Sequence, residues 1–69
     1  MNVNATKLLE ALQKSDKRTL GRLARLRAVV PRTTIEGHKR GQVPMLRHAI
    51  VYETEFGFRP RDWLVEVKP

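Results

Sequence analysis

An all-α domain of four to five helices is the fold class this sequence predicts. Apolar residues recur at helical spacing in successive windows, and Pro31, Gly41, Pro44, Gly57 and Pro60 punctuate the chain with residues that open and close helices. Length supplies a third observation. A chain of 69 residues without cysteine buries only roughly 60% of its unfolded surface and has no disulfide or thiolate zinc site to reinforce it, so helix packing or association must supply stability. Hydrophobic residues make up 41% of the chain, too many for a disordered tail. Residues 1–69 therefore read as one domain.

The elements follow in order. "NATKLLEALQKSD" predicts a first helix capped by Asn4, with Ala5, Leu8, Leu9 and Leu12 on its inner stripe. Ser15 or Asp16 closes it, and Thr19 is the candidate cap of a second helix carrying Leu20, Leu23, Ala24 and Leu26 inward and Arg18, Arg22 and Arg25 outward. Pro31 disfavours helical geometry at Val30 and suits the first position of a new helix, which predicts a turn over 28–31. A short third helix spans about Arg32 to Arg40, anchored by Ile35 and ended by Gly41. Pro44 opens a fourth, whose apolar face is Met45, Leu46, Ala49, Ile50, Tyr52 and Phe56, and Gly57 ends it. Pro60 opens one more turn that seats Trp63 and Leu64, after which "VEVK" either pairs as a strand or trails off.

Charge is distributed unevenly. The net charge is +7, yet residues 17–47 hold nine Lys or Arg against Glu36 alone, nine minus one giving +8, while the flanks are balanced or slightly acidic. Such concentration suits a polyanion, most economically nucleic acid. No apolar run approaches the ~18 residues of a membrane span, and "MNVNATKLLEALQ" lacks the basic start and apolar stretch of a secretory signal. The expectation is a cytoplasmic protein with no membrane partner.

Chemistry is sparse elsewhere. Ser15, the sole serine, sits beside Asp16 at a helix junction where capping explains it better than nucleophilic activation. His38 and His48 lack cysteines or carboxylates at ligand spacing. Neither a glycine-rich phosphate loop nor a core large enough for a substrate pocket is expected. The sequence thus predicts no enzyme, no metal and no cofactor.

The stretch "RTTIEGHKRG", residues 32–41, carries one isoleucine among polar side chains. A helix that enters the major groove of DNA must remain mostly polar and needs one or two anchors, so a second helix, a turn and this third helix suggest a helix-turn-helix unit. With Ile35 inward, Arg32, Thr33 and Glu36 face outward near the end of the helix that reaches base edges. The expected base contacts are Arg32 to guanine, Glu36 to cytosine, Thr33 to a base or a thymine methyl, and Gly37 where backbone approaches the groove wall. Expected phosphate contacts are Arg18, Thr19 and Arg22 on the second helix and His38, Lys39 and Arg40 on the third.

These residues carry a family resemblance. "RTTIEGHKRG" resembles the recognition helix and exit turn of Cro/repressor-type phage regulators, and "VPMLRHAIVYETEFGFRPRDWL" is similar to the carboxyl-terminal half of small Cro-like and YdaS-like regulators. Together they cover about residues 19–65. The resemblance implies a lambda-repressor-like helix-turn-helix fold, double-stranded DNA as partner and homodimerisation. Counting back from Ile35 puts Arg25 and Val29 where the family has a small residue and a turn glycine; either the turn is one residue longer, with Ala24 and Ala28 in those places, or the register shifts by one. Trp63, Leu64, Val65 and Val67 read as core or as part of a dimer contact, with residues 65–69 as a flexible tail otherwise.

The expected function is a sequence-specific transcriptional regulator, a repressor of Cro-like type on a palindromic operator in a host cell's cytoplasm or nucleoid. Two alternatives use the same charge. "RLARLRAVVPR" would serve as an arginine-rich helix folding on RNA or an acidic host protein, and an antitoxin or excisionase would share the DNA-binding chemistry.

Overall fold

The computed structural model describes residues 1–68 and is all-α: helices α1 (Val3–Leu12), α2 (Lys17–Val29), α3 (Arg32–Lys39) and α4 (Leu46–Phe56), then the short 3-10 turn η1 (Pro60–Trp63). Pro69 of the expected tail lies outside the described residues. α2 packs on α4, and α1 packs on α3 and η1.

α1 starts earlier than its sequence predicts. Asn2 is the cap, in extended geometry, and its Oδ1 accepts the Ala5 amide at 2.7 Å. Asn4 is instead a fully buried helical residue whose Nδ2 donates to the Arg59 carbonyl at 2.7 Å. That bond fixes the approach to η1. Ala5 and Leu8 are buried, and Leu9 and Leu12 only partly so.

Asp16 caps α2, and the expected cap Thr19 supplies both hydrogen bonds to it, the amide at 3.1 Å and the hydroxyl at 2.9 Å. The inner face of α2 is Thr19, Leu23, Leu26 and the following Val30, each three or four residues apart. Leu20, 51% exposed, and Ala24 therefore lie outside, against expectation. α2 continues through Ala28 and Val29, so the turn to α3 is only Val30 and Pro31, with no extra residue. Val30 is extended, as a residue before proline prefers, and buried. Pro31 contributes the carbonyl that accepts the Ile35 amide at 3.0 Å.

At its other end α3 is closed by the Gly37 carbonyl, which accepts the Arg40 and Gln42 amides, both at 3.1 Å. Gly41 follows at φ 103°, a conformation that favours glycine. α4 begins at Leu46, two residues after Pro44, which is itself buried. Its inner face is His48, Ala49 and Tyr52, with Phe56 half-buried; Met45, Leu46 and Ile50, expected inside, are exposed. Gly57 ends the helix in left-handed geometry at φ 72°, donating to the Glu53 carbonyl at 2.9 Å.

Trp63 is buried in the core, its ring 4.9 Å from that of Tyr52 and inclined at 63°, whereas Leu64, expected beside it, is 74% exposed. The tail does not trail off. Val3 donates to the Val65 carbonyl at 2.8 Å and Val67 to the Met1 carbonyl at 3.0 Å, a single antiparallel bridge between the chain's first residues and 65–67. Among the described residues no helix is long and apolar enough to cross a membrane.

Candidate nucleic-acid interface

α3 is held from beneath by two side chains one turn apart. Ile35 enters the aliphatic core with Leu23, Leu26 and Val30, and His38 enters the aromatic end of it. His38 Nδ1 and the Tyr52 hydroxyl share a hydrogen bond at 2.8 Å. The His38 ring lies 6.0 Å from the His48 ring and 5.9 Å from that of Trp63, so α3, α4 and η1 meet there. Burial, and then the neighbouring His48, hold the His38 pKa down at about 4, so the ring is neutral at pH 7. His48 is lowered too, by burial and by Arg47, and burial pushes the Tyr52 hydroxyl up.

With those anchors inward, Arg32, Thr33, Glu36 and Arg40 are exposed on the outer side of α3, as the sequence predicts. Lys39 is partly buried and donates from Nζ to both carboxylate oxygens of Glu36, at 3.0 and 3.1 Å. An ion pair this exposed is worth roughly 0–1 kcal/mol. Glu36 and Lys39 can therefore exchange each other for outside partners at small cost. No side chain caps the amino end of α3, so its first amides remain open in a region of positive helix dipole.

Three expected contacts are corrected. His38 is 3% exposed and bonded to Tyr52, so it faces the core and not a phosphate. Gly37 is buried, and a Cβ there would collide with the Gln42 side chain, so Gln42 covers the backbone meant to approach the groove wall. Thr19 is buried, with its amide and hydroxyl both committed to Asp16. That carboxylate, its pKa lowered by the Thr19 hydrogen bonds, occupies the amino end of α2 where a phosphate was expected. Arg18 remains exposed nearby. Arg22 is half-buried and lines a cleft formed with Lys7, Lys14 and Phe56. Arg25 is held by Glu55, Nε to Oε1 at 2.6 Å.

The inward turn of His38 was available in the sequence, since it falls three residues after Ile35 on the same helical face. His48 falls likewise four residues before Tyr52 on the inner face of α4, whereas the bonds of Asn2 to Gly41 and of Asn4 to Arg59 carried no periodic signal, because each partner is distant in the chain. No family model matches the chain, and no curated protein or solved structure shows significant similarity to it.

Proposed function

We propose that this protein is a sequence-specific regulator of transcription of the Cro-like helix-turn-helix type, which lays α3 in the major groove of double-stranded DNA. The observation that supports it best is the division of α3 into two faces: Ile35 and His38 are sunk in the core, and Arg32, Thr33 and Glu36 are exposed on the outside, with Arg40 exposed just past its end. A rod anchored on one side and polar on the other can enter a groove without unfolding the domain that carries it. The excess charge of residues 17–47 favours the same reading.

In this reading Arg32 reads guanine with two hydrogen bonds, Thr33 meets a neighbouring base and Glu36, released from Lys39, accepts from cytosine. Arg18, Lys39 and Arg40 meet phosphates. One domain contacts few bases, so a twofold pair on a palindromic operator supplies the remaining specificity. Binding is the whole of the activity, and no catalytic step is part of it.

Selection of bound duplexes from a random pool tests the proposal: an inverted repeat is the expected product. On the recovered site, Arg32→Gln should relax discrimination at one base pair, corresponding to about 1–3 kcal/mol, while Arg18→Gln weakens binding to every duplex alike. Equal losses from both changes, or preferential recovery of structured RNA in a competing pool, would contradict it.

A further inference from the structure

We propose that a cleft at the end of the molecule built from the later half of α1, the start of α2 and the end of α4 binds a small phosphate monoester with a flat apolar body. The cleft has a volume of about 310 Å³, the low end of the roughly 300–1,000 Å³ found for ligand pockets, which restricts it to a fragment-sized molecule. The inference is independent of the DNA-binding reading.

Two halves of the lining select the two halves of such a ligand. Lys7, Lys14 and Arg22 line the cleft with Glu10 as its one acidic lining residue, and Asp16, bonded to the lining Thr19, lies within range of Lys14, so the site stays net positive, three minus two leaving +1. A phosphate monoester carries about −1.5 to −2 at pH 7 and meets the attraction of that excess. None of the three cations takes part in an ion pair among the described residues. Arg22 is half-buried, which restrains its stem and reduces the entropy lost when its guanidinium engages an anion. The apolar half is formed by Phe56 and Phe58, whose rings stack at 5.2 Å and 27°. Phe58 is buried and Phe56 half-buried, so their remaining exposed surface lies in a recess where a planar group gains by covering it.

Duplex DNA does not suit this recess. α3 meets α1 at the other end of that helix, where Asn2 Nδ2 donates to the Gly41 carbonyl at 3.0 Å. The cleft lies beyond Lys7 toward Lys14. A detached planar anion can reach both the cations and the aromatic wall; a phosphate within a duplex brings no exposed aromatic face with it.

Phenyl phosphate is the probe. The full chain, labelled with ¹⁵N, is titrated with phenyl phosphate, inorganic phosphate and phenol in parallel, and amide shifts are followed. The expected shifts concentrate at residues 7–14, 19–22 and 56–58, and phenyl phosphate binds at least tenfold more tightly than either of its parts. Lys7→Gln combined with Lys14→Gln, both at exposed positions, should weaken it at least fivefold, while Arg32→Gln leaves it unchanged. The proposal is overturned if inorganic phosphate or phenol binds as well as phenyl phosphate, if the shifts spread over α3, or if the double lysine variant binds normally. Because Arg32→Gln is the variant that tests DNA recognition, the two proposals fail separately.

Discussion

His38 connects the chemistry of a single residue to the seating of a whole helix. Its pKa in the fold is about 4, against an ordinary value of 6.5. The unfolded chain therefore takes up the proton first, and acid favours unfolding. The sign is fixed by that order: the contribution is complete above about pH 6.5 and is lost as pH falls toward 4. A displacement of this size corresponds to on the order of 3 kcal/mol, a large share of the stability of so small a domain. Urea denaturation of the wild type at a series of pH values between 7 and 4 should show the midpoint falling. In His38→Phe the fall should be shallower, the remaining slope coming from His48 and, toward pH 4, from Asp16; an unchanged slope would remove His38 from this role. At pH 7 the same variant should lose about 1–3 kcal/mol, because the buried Tyr52 hydroxyl is left without its partner. Gly37, by contrast, is covered and not open to a groove. Glycine suggested backbone approach to DNA, but the space beside it is filled by a neighbour five residues on, the flexible Gln42 side chain.

Among the elements, the junction of α1 with the exit of α3 rests on Asn2, which works in two directions. Its Oδ1 caps α1 and its Nδ2 holds the Gly41 carbonyl. Asn2→Ala should cost about 1–2 kcal/mol in chemical denaturation. Asn2→Asp keeps the acceptor and loses only the donor, so it should fall between the two; equal losses from both substitutions would mean that the cap contributes little. The helical pattern of the sequence located all four helices, and α3 emerged with nearly its expected bounds because Pro31 and Gly41 enclose it. α1 and α2 start two or three residues before the positions the sequence predicts, because Asn2 and Asp16, side chains of the same capping type as Asn4 and Thr19, take the caps. Asn4 is drawn inside by the Arg59 carbonyl, 55 residues away. The inner face of α2 runs through Thr19, Leu23, Leu26 and Val30, which places Leu20 and Ala24 outside.

At the scale of the molecule the core is thin. Among the described residues ten buried hydrophobic side chains form it, with Leu12, Val51 and Phe56 packed partly against them. In such a core Leu26→Ala should cost about 2–5 kcal/mol, a large fraction of the 5–15 kcal/mol typical of a folded domain. Thermal melting should show a much lowered transition or none at 37 °C, and a drop of only a few degrees would mean that the core extends further than these residues. Charge is the other property of the whole. If about six phosphates are neutralised on each protein, log affinity for duplex DNA should fall with log salt at a slope near −5. Fluorescence anisotropy from 50 to 200 mM salt measures it, and a slope near −1 would leave the basic segment without a duplex to explain it.

Three matters were determined by the sequence alone: the helical class, the order and approximate extent of the helices, and the outward row of Arg32, Thr33 and Glu36. Each depends on spacing within a few residues of chain, where the 3.6-residue period and the prolines and glycines act directly. Which polar residues turned inward was decided only when the helices packed. Asn2 finds the Gly41 carbonyl and Asn4 the Arg59 carbonyl far away in the chain, and His38 acquires its hydrogen bond from Tyr52 on another helix. The same packing turned Arg22 toward the cleft and left Leu46 and Leu64 in solvent, because burial is settled by how much surface the neighbouring elements can cover and not by the hydrophobicity of the residue alone.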